Sequence, residues 1–489
     1  MRKKDLTCNI ISAIALLETV FLFWNVIFKG KNLRPGLDDC IFLLPFSVVI
    51  CMELFGEITK YHKNGVALKI YYIVSIVRYM ILPLLIYYSN GECNRYMPSP
   101  RDYRSYYVAV IIMCIELIAA AYIITRTYNR TLTKTQAVIE STNKYRCKYI
   151  TAGGWLTLGI LFAILVVRSK YVIPSTNIIL FKDAADDSNV WYEAIIVNCL
   201  KAFIFAELMQ YIYKAKSQKI KTIYYVLAVV FAFLNFGVYY GSNRAYIVMT
   251  LIATLAVYFY IYPDTKTITL IMLIPVGLIC VVTMFVNKQF GVELSDFSAS
   301  TLSVKTISNI VELYVGGPWN YASGFEATFG RWLPDFGMII ASFIQKFALS
   351  RIPGFKWLQL IENACSSVYG GDKYAWDAYQ SSMGIYGNSQ ILSGIMEPLV
   401  MWGNIFGWFV AVAYHIWVIK MLVKCECMGK SLDDIRYRYL YVWLGVMFGM
   451  HACYSPALLL WIWSKFALFF WVIVWLNDKF VVKPRLNTE

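Results

Sequence analysis

The run TITLIMLIPVGLICVVTMFV (267–286) carries no charge and no apolar–polar alternation, and it is one of many such runs along the chain. An apolar stretch of about 17 to 25 residues is what a helix needs to cross a hydrocarbon core roughly 30 Å thick. Strands of a membrane barrel would instead alternate apolar and polar residues over roughly ten positions. The fold class expected is therefore all-α, a polytopic integral membrane protein. Composition agrees, because 59% of the 489 residues are hydrophobic and only 15% are charged, far from the balance of soluble domains. Runs near 8–28, 41–57, 66–88, 105–125, 149–167, 191–213, 222–240, 245–262, 267–286, 396–419, 438–455 and 457–477 predict about twelve spans.

The basic residues orient these spans. MRKKDLT precedes the first run and no small-residue cleavage site follows it, so a retained helix with a cytoplasmic N-terminus is expected. The Lys- and Arg-rich segments 126–148, 214–221 and 420–438, and the tail with Lys479, Lys483 and Arg485, then all fall on the cytoplasmic side, as short basic loops should. The net charge of +15 is thus an orientation signal. Dispersed over the loops, it makes no stripe for nucleic acid.

Metal and redox frameworks are not expected. The twelve Cys residues form no CxxC pair, and CEC at 425–427 falls on the predicted cytoplasmic side. Of three His residues, His62 and His415 are placed near the cytoplasmic face and His451 near the outer one. There is no Walker or GxGxxG fingerprint, and no cofactor is expected.

One connection breaks the simple alternation of spans and short loops. Residues 287–395 form a single outside segment, of a length that is usually functional. It divides the chain into a bundle of about nine helices (1–286), the external loop, and about three further helices (396–489). Within it, GMIIASFIQKFALS (337–350) suits an interfacial or re-entrant helix. Aromatic residues crowd YVGGPWNYASGFEATFGRW (314–332) and DKYAWDAYQSSMGIYGNS (372–389). Such rings serve either as anchors at headgroup level or as a platform on which sugar faces stack.

Several charges stand out. Arg244 occupies the gap GSNRA (241–245) between two spans, and Arg78, Lys201 and Lys465 fall inside spans, where a charge faces a cavity or a partner. Glu116 is a candidate counter-ion for one of them, and a structural ion pair and a lipid-phosphate site both stay open. Arg244 has two readings as well, a snorkelling anchor and an anion site.

In layout the chain resembles the oligosaccharide repeat-unit polymerases, the Wzy-type O-antigen and capsule polymerases of bacterial inner membranes. The resemblance lies in the turn GSNRA (241–245), one residue longer than that family's Gly-Ser-Arg, in VELYVGGPWNYASGFE (311–326), and in GIMEPLVMWGNIFGWFV (394–410). In the last, Met401 stands where the family has Asp, while Trp402, Gly403 and Gly407 keep the spacing. The resemblance implies metal-independent glycosyl transfer from a polyprenyl-pyrophosphate-linked glycan to a lipid-linked acceptor, outside the cytoplasmic membrane, with membrane lipid, a flippase and a chain-length regulator as partners. Within that frame Arg244, Arg331, Lys346, Arg351, Arg78 and Lys201 are candidates for the pyrophosphate, since Arg meets phosphate oxygens with a planar fork. Glu397 and His451 are candidates to orient or deprotonate the acceptor hydroxyl. A flippase or transporter and an O-antigen ligase are the rival expectations.

Overall fold

The computed structural model describes residues 6–55, 65–91, 100–142, 152–175, 187–215, 221–240, 244–268, 303–337, 339–340 and 392–480, with a few isolated positions. The described residues are helical throughout, apart from one pair of three-residue strands and short turns. Among the described residues, six helices are long and apolar enough to cross a membrane: Leu6–Phe28, Val66–Tyr88, Arg104–Gln136, Glu193–Ala215, Met396–Ser431 and Pro456–Lys479. Shorter apolar helices cover Leu43–Phe55, Gly153–Val167, Thr222–Gly237 and Ala245–Ile261. Their outer faces are apolar: Leu17, Val167 and Phe409 are each more than 70% exposed, a pattern suited to lipid rather than water. Most of the run at 267–286 and most of the segment 287–395, with Lys346, Arg351 and the aromatic stretch 372–389, lie outside the described residues.

The chain divides into two compact units, each discontinuous in sequence: 1–131 with 300–424 and 447–461, and 132–299 with 425–446 and 462–489. These cut across the three consecutive stretches expected from the loop lengths.

The first unit contains α1 (Leu6–Phe23), α2 (Leu43–Phe55), α3 (Val66–Ile76) and α4 (Leu82–Tyr88), the last two joined through a π-turn at Val77–Ile81. It also holds most of α5 (Arg104–Thr142). Its core runs from Leu22 and Leu44 through Tyr79 and Met113 to Trp319 and Tyr321. The second unit includes α6 (Ala152–Val167), β1 (Val172–Pro174), α7 (Asp187–Ala215), α8 (Lys221–Gly237), β2 (Val238–Tyr240) and α9 (Arg244–Ile261). Here Trp443 packs on Phe466 with ring centroids 4.4 Å apart, and Tyr246 contacts both rings.

Two further helices of the first unit, α10 (Val304–Val315) and α11 (Pro318–Glu326), belong to the segment read from sequence as external. Ser303 caps α10 by accepting from the Thr306 N–H at 3.2 Å. Gly316 ends it in the left-handed conformation at φ 63°, and Pro318 opens α11 without needing a hydrogen-bond acceptor. Gly317 is required sterically, because a Cβ there would stand 2.6 Å from Leu82 and 2.7 Å from Glu312.

The remaining helices are α12 (Met396–Ser431), α13 (Ile435–His451), α14 (Pro456–Lys465) and α15 (Ala467–Phe480). Helix α12 is two limbs. At Gly403 the backbone takes φ 70° and ψ 167°, values open to glycine. A Cβ on Gly407 would stand 2.7 Å from the Leu399 Cα, although eight residues of straight helix would separate them by about 12 Å. The limb 396–402 therefore folds back on the limb that starts at 404.

Candidate functional site

The broken helix frees backbone groups that buried structure must satisfy. The segment 328–335 does so. The Asp335 N–H donates to Met401 O at 2.9 Å, and the Asn404 N–H donates to Arg331 O at 2.9 Å. Asn404 Nδ2 donates to Thr328 O at 3.1 Å, and Arg331 Nη1 reaches Val400 O at 3.4 Å. The approach is close enough that a Cβ on Gly403 would stand 2.6 Å from the Trp332 carbonyl carbon. Arg331 is thus half-buried against the break in α12.

The same unit holds a set of buried charges. Arg78, in the π-turn, donates from Nη2 to Glu116 Oε2 at 3.1 Å and from Nε to Gly316 O at 3.1 Å. The Tyr321 hydroxyl donates to the same Glu116 oxygen at 2.6 Å, and the Tyr321 ring lies 5.0 Å from the Arg78 guanidinium carbon. His415 Nε2 is 3.2 Å from Glu116 O, and its Nδ1 is 3.8 Å from Glu116 Oε1. All four side chains are at least nine-tenths buried. Glu116 is therefore the counter-ion of Arg78, and His415 joins them in mid-helix. The sequence placed His415 near a helix end because the span was counted from 396; with the reversal at Gly403 it starts at 404, and His415 moves to its middle.

A second buried pair was not singled out from sequence. Arg34 meets Glu312 with both terminal nitrogens, at 3.0 and 2.8 Å, and donates from Nε to Gly91 O at 2.8 Å. Glu312 also accepts from the Trp319 N–H at 2.7 Å. The signal was present in VELYV, an acid inside an apolar helical face, and in NLRPG, an Arg in a short connection.

Glu397 and His451 are brought into one neighbourhood, the turn before α14. Glu397 Oε1 accepts from the Ala457 N–H at 3.0 Å, capping the start of α14. His451 Nδ1 is 3.1 Å from Met447 O, and its ring packs 5.5 Å from Tyr454. Facing a carbonyl, Nδ1 carries the proton of a neutral ring, which leaves Nε2 as the acceptor. Gly394 donates to Cys453 O at 2.8 Å, and Ser393 forms a bridge with Tyr454. Trp319 and Tyr321, read as anchors or as a sugar platform, are 1% and 0% exposed and belong to the core. Trp332, at 64%, is open.

In the second unit, β1 and β2 pair antiparallel with Val172 opposite Tyr240. Lys201 donates from Nζ to Val238 O, and Asn198 Nδ2 donates to Tyr240 O at 2.7 Å. Lys201, expected as a pyrophosphate ligand, thus holds β2. Arg244 is the first residue of α9, while 241–243 and the Arg244 side chain lie outside the described residues. Among the described residues no group of three His, Cys, Asp or Glu could hold a metal ion.

Comparisons with protein-family models, with curated proteins and with solved structures return no match.

Proposed function

We propose that this chain polymerises lipid-linked oligosaccharide repeat units at the outer face of a bacterial cytoplasmic membrane, with both termini inside. The observation that carries the proposal is that two stretches bearing the family resemblance, separated by roughly seventy residues of chain, meet in one core. Gly324 approaches Met396 so closely that a Cβ would stand 2.7 Å from the Met396 Cβ. The chain just beyond the first stretch hydrogen-bonds across the break in the second. A long connection that returns to seal a broken helix is built for more than joining two spans.

In the proposed reaction, the bond between the donor sugar's anomeric carbon and the pyrophosphate oxygen breaks. An acceptor hydroxyl oxygen forms the new glycosidic bond, and its proton passes to a base. The polyprenyl pyrophosphate leaves with the bonding electron pair. Growing negative charge on that group calls for fixed cations at the membrane surface. Arg244 suits the role because it opens α9, where N–H groups of the first turn add attraction for an anion. His451, with Nε2 as acceptor, and Glu397 are the candidate bases, and they share one turn.

A transporter is the second reading, favoured by the interrupted helix α12, since discontinuous helices line many transport sites. Deletion of the gene separates the two. A polymerase mutant accumulates single repeat units, lipid-linked and already exported. Repeat units trapped on the cytoplasmic face would overturn the polymerase and support the transporter.

A further inference from the structure

We infer that the segment 329–336, read from sequence as part of an external loop, is embedded among the lipid acyl chains at the edge of one leaflet, whatever reaction the chain performs. Its side chains are sorted the wrong way round for water. Phe329, Trp332, Leu333 and Phe336 are each more than half exposed, whereas Arg331 and Asp335 between them are half-buried. Arg331 turns inward, with Nη1 3.4 Å from Val400 O. A loop in water keeps its charges outside, and a contiguous patch of large exposed apolar side chains marks a surface that an apolar partner covers.

The identity of that partner follows from where the patch joins the rest of its unit. The Ile405 N–H donates to Trp332 O at 3.4 Å, and the backbone of Trp332 and Leu333 lies against Gly403. Ile405 opens an exposed apolar face of α12 that continues through Phe409 and Val412, about one and two turns further along. That face belongs to a helix long and apolar enough to cross a membrane. The hydrocarbon that covers the face therefore reaches the loop beside it, and a protein partner would have to displace lipid from α12 to cover both. Since the spanning limb starts at 404, the segment lies at the depth of its first turn, near the headgroups, where Trp residues such as Trp332 concentrate. The segment that seals the break in α12 thus also holds that break at the edge of the bilayer.

The test places the full chain, on a cysteine-depleted background, in phosphatidylcholine vesicles with a nitroxide on one cysteine at a time. Trp332→Cys and Phe336→Cys should collide more with dissolved oxygen than with a water-soluble nickel chelate, as Phe409→Cys does. Asp264→Cys, in an exposed turn, supplies the opposite, aqueous pattern. The oxygen-to-nickel ratio at Trp332 should match that of Ile405→Cys and fall below that of Val412→Cys, about 10 Å further along the helix. A ratio like that at Asp264 would put the segment in water and overturn the inference. Few collisions with either reagent would show that protein covers the patch, and would overturn it too. Because replacing Trp332 can disturb the break, the wild-type chain is also crosslinked with phosphatidylcholine carrying a diazirine on its acyl chain. Adducts on peptides containing 329–336 are expected; labelling of α12 peptides without them would contradict the embedding.

Discussion

Arg78 and Glu116 sit inside predicted spans, and their fates differ from that of an exposed pair. Each is enclosed, and each has several partners: Gly316 O for the guanidinium, and the Tyr321 hydroxyl for the carboxylate. Removing one member leaves the other charged and buried, at a cost of about 3 to 5 kcal/mol. Arg78→Ala and Glu116→Ala should each depress thermal stability in detergent sharply, whereas the double replacement Arg78→Met with Glu116→Leu should recover much of it. Equal loss in the double variant would mean that the pair is held for more than charge balance. Arg244 calls for a different measurement. A phosphate fork tolerates Lys poorly and Ala worse, and loss of one charge-assisted contact at a water-poor site costs on the order of 10²-fold in rate or more. Polymer length on gels, with the membrane level of each variant alongside, reads this directly; near-normal polymer from Arg244→Ala removes it from the site.

At the scale of the element, helix α12 is the feature that sequence concealed. Apolar length predicted a span from 396, because hydropathy does not register a reversal within an apolar run. The glycine pattern at 403 and 407 was visible, but its meaning needs a tertiary partner: Gly403 accommodates the backbone of Trp332, and Gly407 that of Leu399. Gly403→Ala should therefore unseat the limb 396–402, both through its φ of 70° and through the clash with the segment that seals the break. We expect a fall in thermal stability several times that of Gly159→Ala, a site where a Cβ would meet nothing within 4 Å. Similar effects at the two sites would contradict the reversal. By contrast, the helix positions themselves were legible. Apolar runs and Gly or Pro boundaries set them, and each predicted span within the described residues is mostly helix, although the run 222–240 ends in the strand Val238–Tyr240 and the helix of the run 438–455 ends at His451. The candidate site was legible only in part. Glu116 was named as a counter-ion from its cost in a span, while Arg34 and Glu312 passed unnoticed because their partners are 278 residues apart.

For the whole molecule, the proposed orientation and the proposed chemistry are each open to test. The proposed orientation rests on the basic loops: on a cysteine-depleted background, Asp372→Cys should react with an impermeant thiol reagent in intact spheroplasts and Ser141→Cys should not. Reversed labelling would turn the proposed site to the cytoplasm and remove its access to exported donors. Chemistry is tested most directly by reconstitution. The purified chain is placed in vesicles with lipid-linked repeat units extracted from a strain lacking it, in the presence of a chelator and without nucleotide sugars. A polymerase should yield a ladder of lengthened glycans and release one polyprenyl pyrophosphate for each bond formed. Repeat units that cross the vesicle membrane without lengthening would contradict it.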